Sequence, residues 1–324
     1  MITVDDIEAA ARRLAGIAIE TPLLRSSQLD EMTSGTVLLK PECLQRVGSF
    51  KIRGAYNLLS QLSAEQASRG VVAWSSGNHA QGVAAAGAML GIHTTIVMPE
   101  DAPTAKLENT RRLGGEVITY DRYTGNREDI AREIAAERDA ELVPSYDHVD
   151  IIAGQGTVGL EIAEQSIASG MPADQVLIPC GGGGLSSGSA VALKARLPDV
   201  VVNTVEPESY DDTAQSLRSG QRVSVSTSER SLCDALLTAS PGKLTFDIMR
   251  DLVGEGLVVS DDEVKSAMRF AFLDLKLVVE PGGAAALAAV LAEKIDLKGR
   301  TTVVVLTGGN VDVELFSEIQ AEPA

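Results

Sequence analysis

Short apolar runs rich in Val, Ile and Leu alternate with longer stretches whose apolar residues recur at helical spacing. Strands are predicted at 36–40, 71–74, 94–98, 116–120, 141–144, 175–179, 200–205 and 301–306. Helices are predicted from Thr3 through Ala15, from Lys51 to about Leu62, and after His79 through an alanine-rich stretch. Further helices are predicted over 104–113 and 126–138, from about Ile151, from Ser186 to about Leu197, and over 284–297. A strand and a helix return within 257–276, whereas 212–238, full of Ser, Thr and Arg, reads as irregular. Strands alternating with helices imply right-handed crossovers and parallel sheets. The expected fold class is therefore α/β, and without a Pro- or Gly-rich linker its two domains are expected to interleave.

Composition narrows the picture. The 324 residues are 44% hydrophobic but only 3% aromatic, so the core must be built from Ala, Val, Leu and Ile, which suits buried parallel strands. A net charge of −17 excludes a nucleic-acid partner and an anionic membrane surface. It does not exclude an anionic ligand, because backbone amides at helix ends can hold a phosphate. Cys43, Cys180 and Cys233 are scattered and form no metal or disulfide spacing, so a reducing cytoplasm is the expected location. The acidic start shows no secretory leader, and no apolar run approaches a membrane span.

Several stretches carry candidate chemistry. In Gly48-Ser49-Phe50-Lys51-Ile52-Arg53-Gly54-Ala55 a single Lys sits among apolar groups near a helix start. Lost solvation lowers such an amine's pKa, and the neutral amine attacks aldehydes. Gly181, Gly182, Gly183 and Gly184 lie between an apolar strand and a helix, where converging amides and the helix dipole make a phosphate cradle. The dinucleotide fingerprint fails there, since Ser186 or Ser187 takes the last glycine's place, although Glu206 stands where a ribose-binding acid would. The P-loop pattern is absent. Ser75-Ser76-Gly77-Asn78-His79 forms another strand-to-helix turn that favours a carboxylate, with His79 read as a packed helix residue rather than a base. Thr307-Gly308-Gly309-Asn310 ends the last strand, where a hydroxyl would point into a ligand crevice. Glu206, Glu208, Asp211 and Asp212 read either as a solvated acidic turn or as ligands of a hard cation.

These motifs, with Ala153-Gly154-Gln155-Gly156-Thr157, occur in one order over nearly the whole chain. Together they resemble the pyridoxal-phosphate fold-type II family, in its threonine/serine dehydratase and serine racemase branch, in the short catabolic form without a C-terminal regulatory domain. The resemblance implies two interleaved three-layer α/β/α domains, a large one of 1–60 plus 148–324 and a small one of 61–147. It implies that Lys51 holds the cofactor covalently and, once displaced, acts as base on Cα. Phe50 would pack near the ring, Asn78 would bond its 3′-oxygen, and Thr307 would face its nitrogen. Gly181 to Gly184, with Leu185, would hold the phosphate. Ser75, Ser76, Gly77, Asn78 and His79 would clasp the substrate carboxylate, and Ser76 matches the acid/base of racemases. Glu206, the carbonyl of Tyr210, and Asp212 match a divalent-cation site for Mg2+, Mn2+ or Ca2+. Ala235 next to Asp234 departs from the Gly common in relatives and bears on side-chain specificity. Tyr146-Asp147 is more dehydratase-like. The expected activity is β-elimination on L-threonine and L-serine by a homodimer. The alternatives are an amino-acid racemase, a 3-hydroxyaspartate ammonia-lyase and, from another class, a dinucleotide-dependent oxidoreductase.

Overall fold

A computed structural model of the protein describes residues 2–75, 77–102, 104–121, 124–226 and 228–321. Among the described residues ten strands form two sheets. They are β1 (Leu24–Arg25), β2 (Thr36–Pro41), β3 (Val71–Trp74), β4 (Thr94–Pro99), β5 (Glu116–Tyr120), β6 (Glu141–Leu142), β7 (Gln175–Pro179), β8 (Val201–Pro207), β9 (Gly256–Val259) and β10 (Thr301–Leu306). The larger sheet has the order β1-β2-β10-β7-β8-β9, the smaller β5-β4-β3-β6. Every pairing is parallel except the short β1 against β2, with β10 set between β2 and β7 through Val303 opposite Leu38 and Val176.

Alternation along the strands sends side chains into two helical layers, as the period of two requires. On β10, Val304 and Leu306 join Leu39, Leu177 and Val205 under the Pro281–Leu291 helix. Val303 and Val305 point the other way, with Leu38 and Ile178, toward Val158 and Ile162 of the Val149–Ala168 helix. The smaller sheet does the same. Val71, Ala73, Ile96 and Met98 face the Lys51–Leu59 and Asn78–Leu90 helices, while Val72 and Val97 face Ala131 and Ala135. The α/β class and parallel sheets expected from the sequence are thus what the chain forms. Among the described residues no helix is long and apolar enough to cross a membrane.

Some boundaries differ. The stretch read as irregular opens with a helix, Asp212–Ser219. Helices Ser27–Thr33, Lys243–Leu252 and Val313–Ala321 were not foreseen. The 284–297 helix is Pro281–Leu291, because Pro at its first turn supplies helical φ and lacks only an amide that would be orphaned anyway. The helix from Lys51 ends at Leu59 rather than near Leu62.

The helix that begins at Lys51 is held from behind by buried charge. Arg53, two residues on, meets Glu42 at 2.8 Å and Glu161 at 2.6 Å, and Lys40 meets Glu161 at 2.6 Å. Burial alone would raise the Glu42 carboxyl; the Arg53 guanidinium overrides it and holds it below the usual range. The same helix lies against the Val149–Ala168 helix with backbone in contact: a Cβ on Gly154 would stand 2.6 Å from the Arg53 carbonyl.

Candidate active site

A cavity of about 860 Å³ opens where the carboxyl ends of β3, β7 and β10 converge. Ends of parallel strands gather loops and helix N-termini, which is why ligands bind there. Phe50, Lys51, Asn78 and Thr307 line it, as do Ser75, Gly77 and His79. So do Gly181 through Gly184, and Leu185. Ser76 lies outside the described residues. The structure therefore brings together stretches that are far apart in the chain.

Lys51 Nζ donates to the Ser145 carbonyl at 2.9 Å and stands 5.2 Å from the centre of the Phe50 ring. Burial lowers its pKa to about 8, opposed by the Glu280 carboxylate. An amine at that value is partly neutral near physiological pH, the form that attacks a carbonyl. Its loop is pinned beside Thr307, since Phe50 N donates to the Thr307 carbonyl at 3.3 Å and Gly309 N to that of Gly48 at 2.9 Å.

The glycine turn runs from β7 into the Gly184–Arg196 helix. Gly183 holds φ +90°, and a Cβ there would stand 2.5 Å from Met249 Cε. The Gly182 carbonyl accepts from Thr245 Oγ1 at 2.7 Å and Gly242 N at 3.1 Å. Those two groups belong to the start of the Lys243–Leu252 helix, whose own first amides are taken by Asp147: Lys243 at 3.0 Å, Leu244 at 2.8 Å and Thr245 at 3.2 Å. The turn is thus fixed from outside, with the positive end of a helix dipole at the cavity.

His79 is buried, and burial followed by the Lys51 charge lowers its pKa to about 3. The ring is therefore neutral. Its Nε2 lies 2.9 Å from the Val143 carbonyl, which can only accept, so the ring proton belongs there. The Nδ1 lone pair has no partner among the described residues. The side chain, on the Asn78–Leu90 helix, is thus held by the Val143 carbonyl.

Glu280, Asn310, Gln155, Lys106 and Arg127 also line the cavity, and the sequence reading did not single out their roles. Asn310 closed a motif already noted. Glu280 carried a signal of its own, an acid directly before Pro281-Gly282-Gly283 at a helix start. Its pKa is raised to about 8 by burial and then by Asp234, against the Asn78 hydrogen bond, Lys106 and Lys51.

Glu206, Asp211 and Asp212 of the acidic turn do not line the cavity, although Thr238, which does, donates to Asp212 Oδ1 at 3.5 Å. Glu206 is buried and accepts from Thr213 N at 2.9 Å and Ala214 N at 2.7 Å, capping the Asp212–Ser219 helix. Asp212 Oδ2 is buried without a hydrogen-bond partner among the described residues. Burial lifts the Asp212 carboxyl to about 7, and burial with the Asp212 charge lifts Glu206 well above its ordinary value. The Tyr210 hydroxyl donates to the Glu229 carbonyl at 2.8 Å. Among the described residues no group of three or more His, Cys, Asp or Glu side chains gathers as a metal site.

A softened amine facing a glycine-built anion cradle, inside an α/β crevice, defines an enzyme that binds a phosphorylated carbonyl cofactor. The chain belongs to the pyridoxal-phosphate dependent enzyme family, whose model matches residues 14–308. It is 44% identical over 314 residues to L-threo-3-hydroxyaspartate ammonia-lyase of Pseudomonas sp, with 97% of each chain covered. Among solved structures it superposes on the threonine deaminase of T.th. with a TM-score of 0.90 and 43% identity, covering 96% of this chain and 99% of that one. Maize serine racemase gives a TM-score of 0.92 at 37% identity, covering 98% and 96%. The chain is accordingly an enzyme of the ammonia-lyase and racemase branch of fold type II, and its cofactor is pyridoxal phosphate. The cavity suits that group: the Gly183 turn leaves no room for a side chain, and Lys51 is unusually ready to lose its proton.

Proposed function

We propose that this enzyme removes water from L-threonine and L-serine, releasing a 2-oxo acid and ammonia. Pyridoxal phosphate, when bound, supplies an electron sink for the pair left on Cα after the α-proton departs. Lys51 holds the cofactor and then takes the α-proton. Gly181, Gly182, Gly183, Gly184 and Leu185 hold its phosphate, Phe50 packs near its ring, and Asn78 donates to its 3′-oxygen. Thr307 offers the ring nitrogen a neutral hydroxyl, which does not enforce a protonated ring and suits elimination over deeper carbanion chemistry. Ser75, Ser76, Gly77, Asn78 and His79 hold the substrate carboxylate beside the helix N-terminus. The β-hydroxyl leaves as water, and the enamine hydrolyses. The observation that carries the reading is Lys51, lowered to about 8, in one cavity with the glycine turn.

A second substrate reading has its own support. Arg127 lines the cavity, as does Lys106, whose ammonium pairs with Asp234 at 2.8 Å. A second carboxylate would find the Arg127 cation there, which favours 3-hydroxyaspartate. The Pseudomonas relative at 44% identity bears that activity in its name. A racemase would use Ser76 on the face opposite Lys51. For the cation, Glu206, the Tyr210 carbonyl and Asp212 are the proposed ligands of Mg2+, Mn2+ or Ca2+. The support is a buried Asp212 oxygen, unpartnered among the described residues, beside a second carboxylate, a concentration of negative charge that a divalent ion would relieve. The domain division at 61–147 is supported by the four strands of the smaller sheet all falling inside it. A homodimer remains the proposed assembly.

One experiment separates these readings: 2-oxo acid release from L-threonine, L-serine and L-threo-3-hydroxyaspartate, with and without magnesium and chelator, and chiral analysis of residual serine. Release from threonine and serine, abolished by more than about 10³-fold in Lys51→Ala, is expected. D-serine accumulating faster than pyruvate would instead favour the racemase.

A further inference from the structure

We propose that Asn310 is a positioning residue, which fixes the amide of Asn78 so that one N–H of that side chain is left for the cofactor. The inference rests on the reading of Asn78 as a cofactor contact.

The orientation is set from a backbone carbonyl. Asn310 Nδ2 lies 2.7 Å from the carbonyl oxygen of Val47, which can only accept. That assigns the Asn310 amide without reference to any titrating group. The other Nδ2 hydrogen goes to Asn78 Oδ1, also at 2.7 Å. Asn78 must therefore carry its Nδ2 on the opposite side. One of those hydrogens goes to Glu280 Oε1 at 2.5 Å, and the second finds no partner among the described residues. A relay of fixed polarity runs from Val47 through Asn310 to Asn78, and it holds whichever protonation state Glu280 adopts.

Two glycines make the junction possible. A Cβ on Gly48 would stand 2.5 Å from Asn310 Oδ1, and a Cβ on Gly308 would stand 2.1 Å from Glu280 Oε1. Val47 itself holds φ 56°, the left-handed region that a β-branched residue rarely adopts. Its carbonyl, held by Asn310, belongs to the turn that leads into Lys51. Asn310 thus ties the lysine-bearing loop and Asn78 to the end of β10 in one hydrogen-bonded set.

The test is a double-mutant cycle on the whole protein, with Asn310→Ala, Asn78→Ala and the pair. The readouts are the pyridoxal phosphate dissociation constant and the visible absorption maximum of the bound cofactor at one fixed pH. Asn310→Ala is expected to weaken cofactor binding about tenfold in the wild-type background, and by less than about twofold when Asn78 is already Ala. Its absorption maximum should move toward that of Asn78→Ala. An equal loss in both backgrounds, or no loss and no spectral change, overturns the proposal. Should Asn310→Ala fail to fold, the isosteric Asn310→Asp takes its place in the same cycle with the same criteria. If Asn78→Ala alone binds the cofactor as tightly as wild type, the reading of Asn78 itself falls, and that result is visible without the Asn310 variants.

Discussion

A buried carboxyl and a buried amine share the cavity wall, and each is pushed toward its neutral form. Glu280 is raised to about 8 from an ordinary 4.5. The native protein therefore keeps a proton that the unfolded chain has released between those values, so this group's contribution to stability is full at low pH and is lost as pH rises through about 8. Asp212, raised to about 7, acts in the same direction. Lys51, lowered to about 8 from 10.5, has the opposite sense: the unfolded chain binds the extra proton, so stability rises with pH between those values. Glu280→Gln is expected to flatten the fall in urea midpoint of the cofactor-free protein between pH 5 and 8, while leaving the part due to Asp212. An unchanged slope in the variant would mean that Glu280 is already ionised at neutral pH.

Two helices owe their N-termini to carboxylates that lie outside their own first turns. Asp147 caps Lys243–Leu252, and Glu206, on β8, caps Asp212–Ser219. At Lys243–Leu252 the N-cap position is Gly242, so no local Ser, Thr, Asp or Asn announces the start, which is why 243–252 went unseen. At Asp212–Ser219 the local Asp211 makes no side-chain cap and Glu206 takes that role, while the many Ser, Thr and Arg residues of 212–238 made the stretch read as irregular. By contrast Ser260 with Glu263 forms a local capping box, and the helix it begins was legible. The Asp147 cap also reaches the cavity, because the helix it starts supplies Thr245 and Gly242 to the Gly182 carbonyl. Asp147→Ala is expected to lower stability by about 1–2 kcal/mol and to weaken pyridoxal phosphate binding as well. Thermal melts and a cofactor titration check the two effects, and a stability loss with unaltered affinity would separate the cap from the cradle.

At the scale of the molecule, the cavity's lysine is placed by residues that never see the cavity. Arg53 is nearly inaccessible and bridges Glu42 and Glu161, so that the turn just after β2, the Lys51–Leu59 helix and the Val149–Ala168 helix meet at one guanidinium. Arg53→Met is expected to cost about 3–5 kcal/mol, because among the described residues the Glu42 carboxylate would keep only its Thr21 hydrogen bond in a buried site. Chemical denaturation measures it; a loss below about 1 kcal/mol would show that the network does not hold the helix.

The sequence by itself determined the class of fold, the family and the amine on which the proposed chemistry turns. These depend on local signals: apolar runs of strand length, the residues around Lys51, and a run of four glycines whose backbone freedom no other residue supplies. It did not determine the orientation of the Asn78 amide, the caps from Asp147 and Glu206, or the raised pKa of Glu280. Each of those arises from groups separated along the chain, in most cases by tens to hundreds of residues, brought within hydrogen-bond reach only when two sheets and their helices pack. Hydrogen bonding and desolvation act over a few ångströms in space, and only the folded chain decides which residues share that distance.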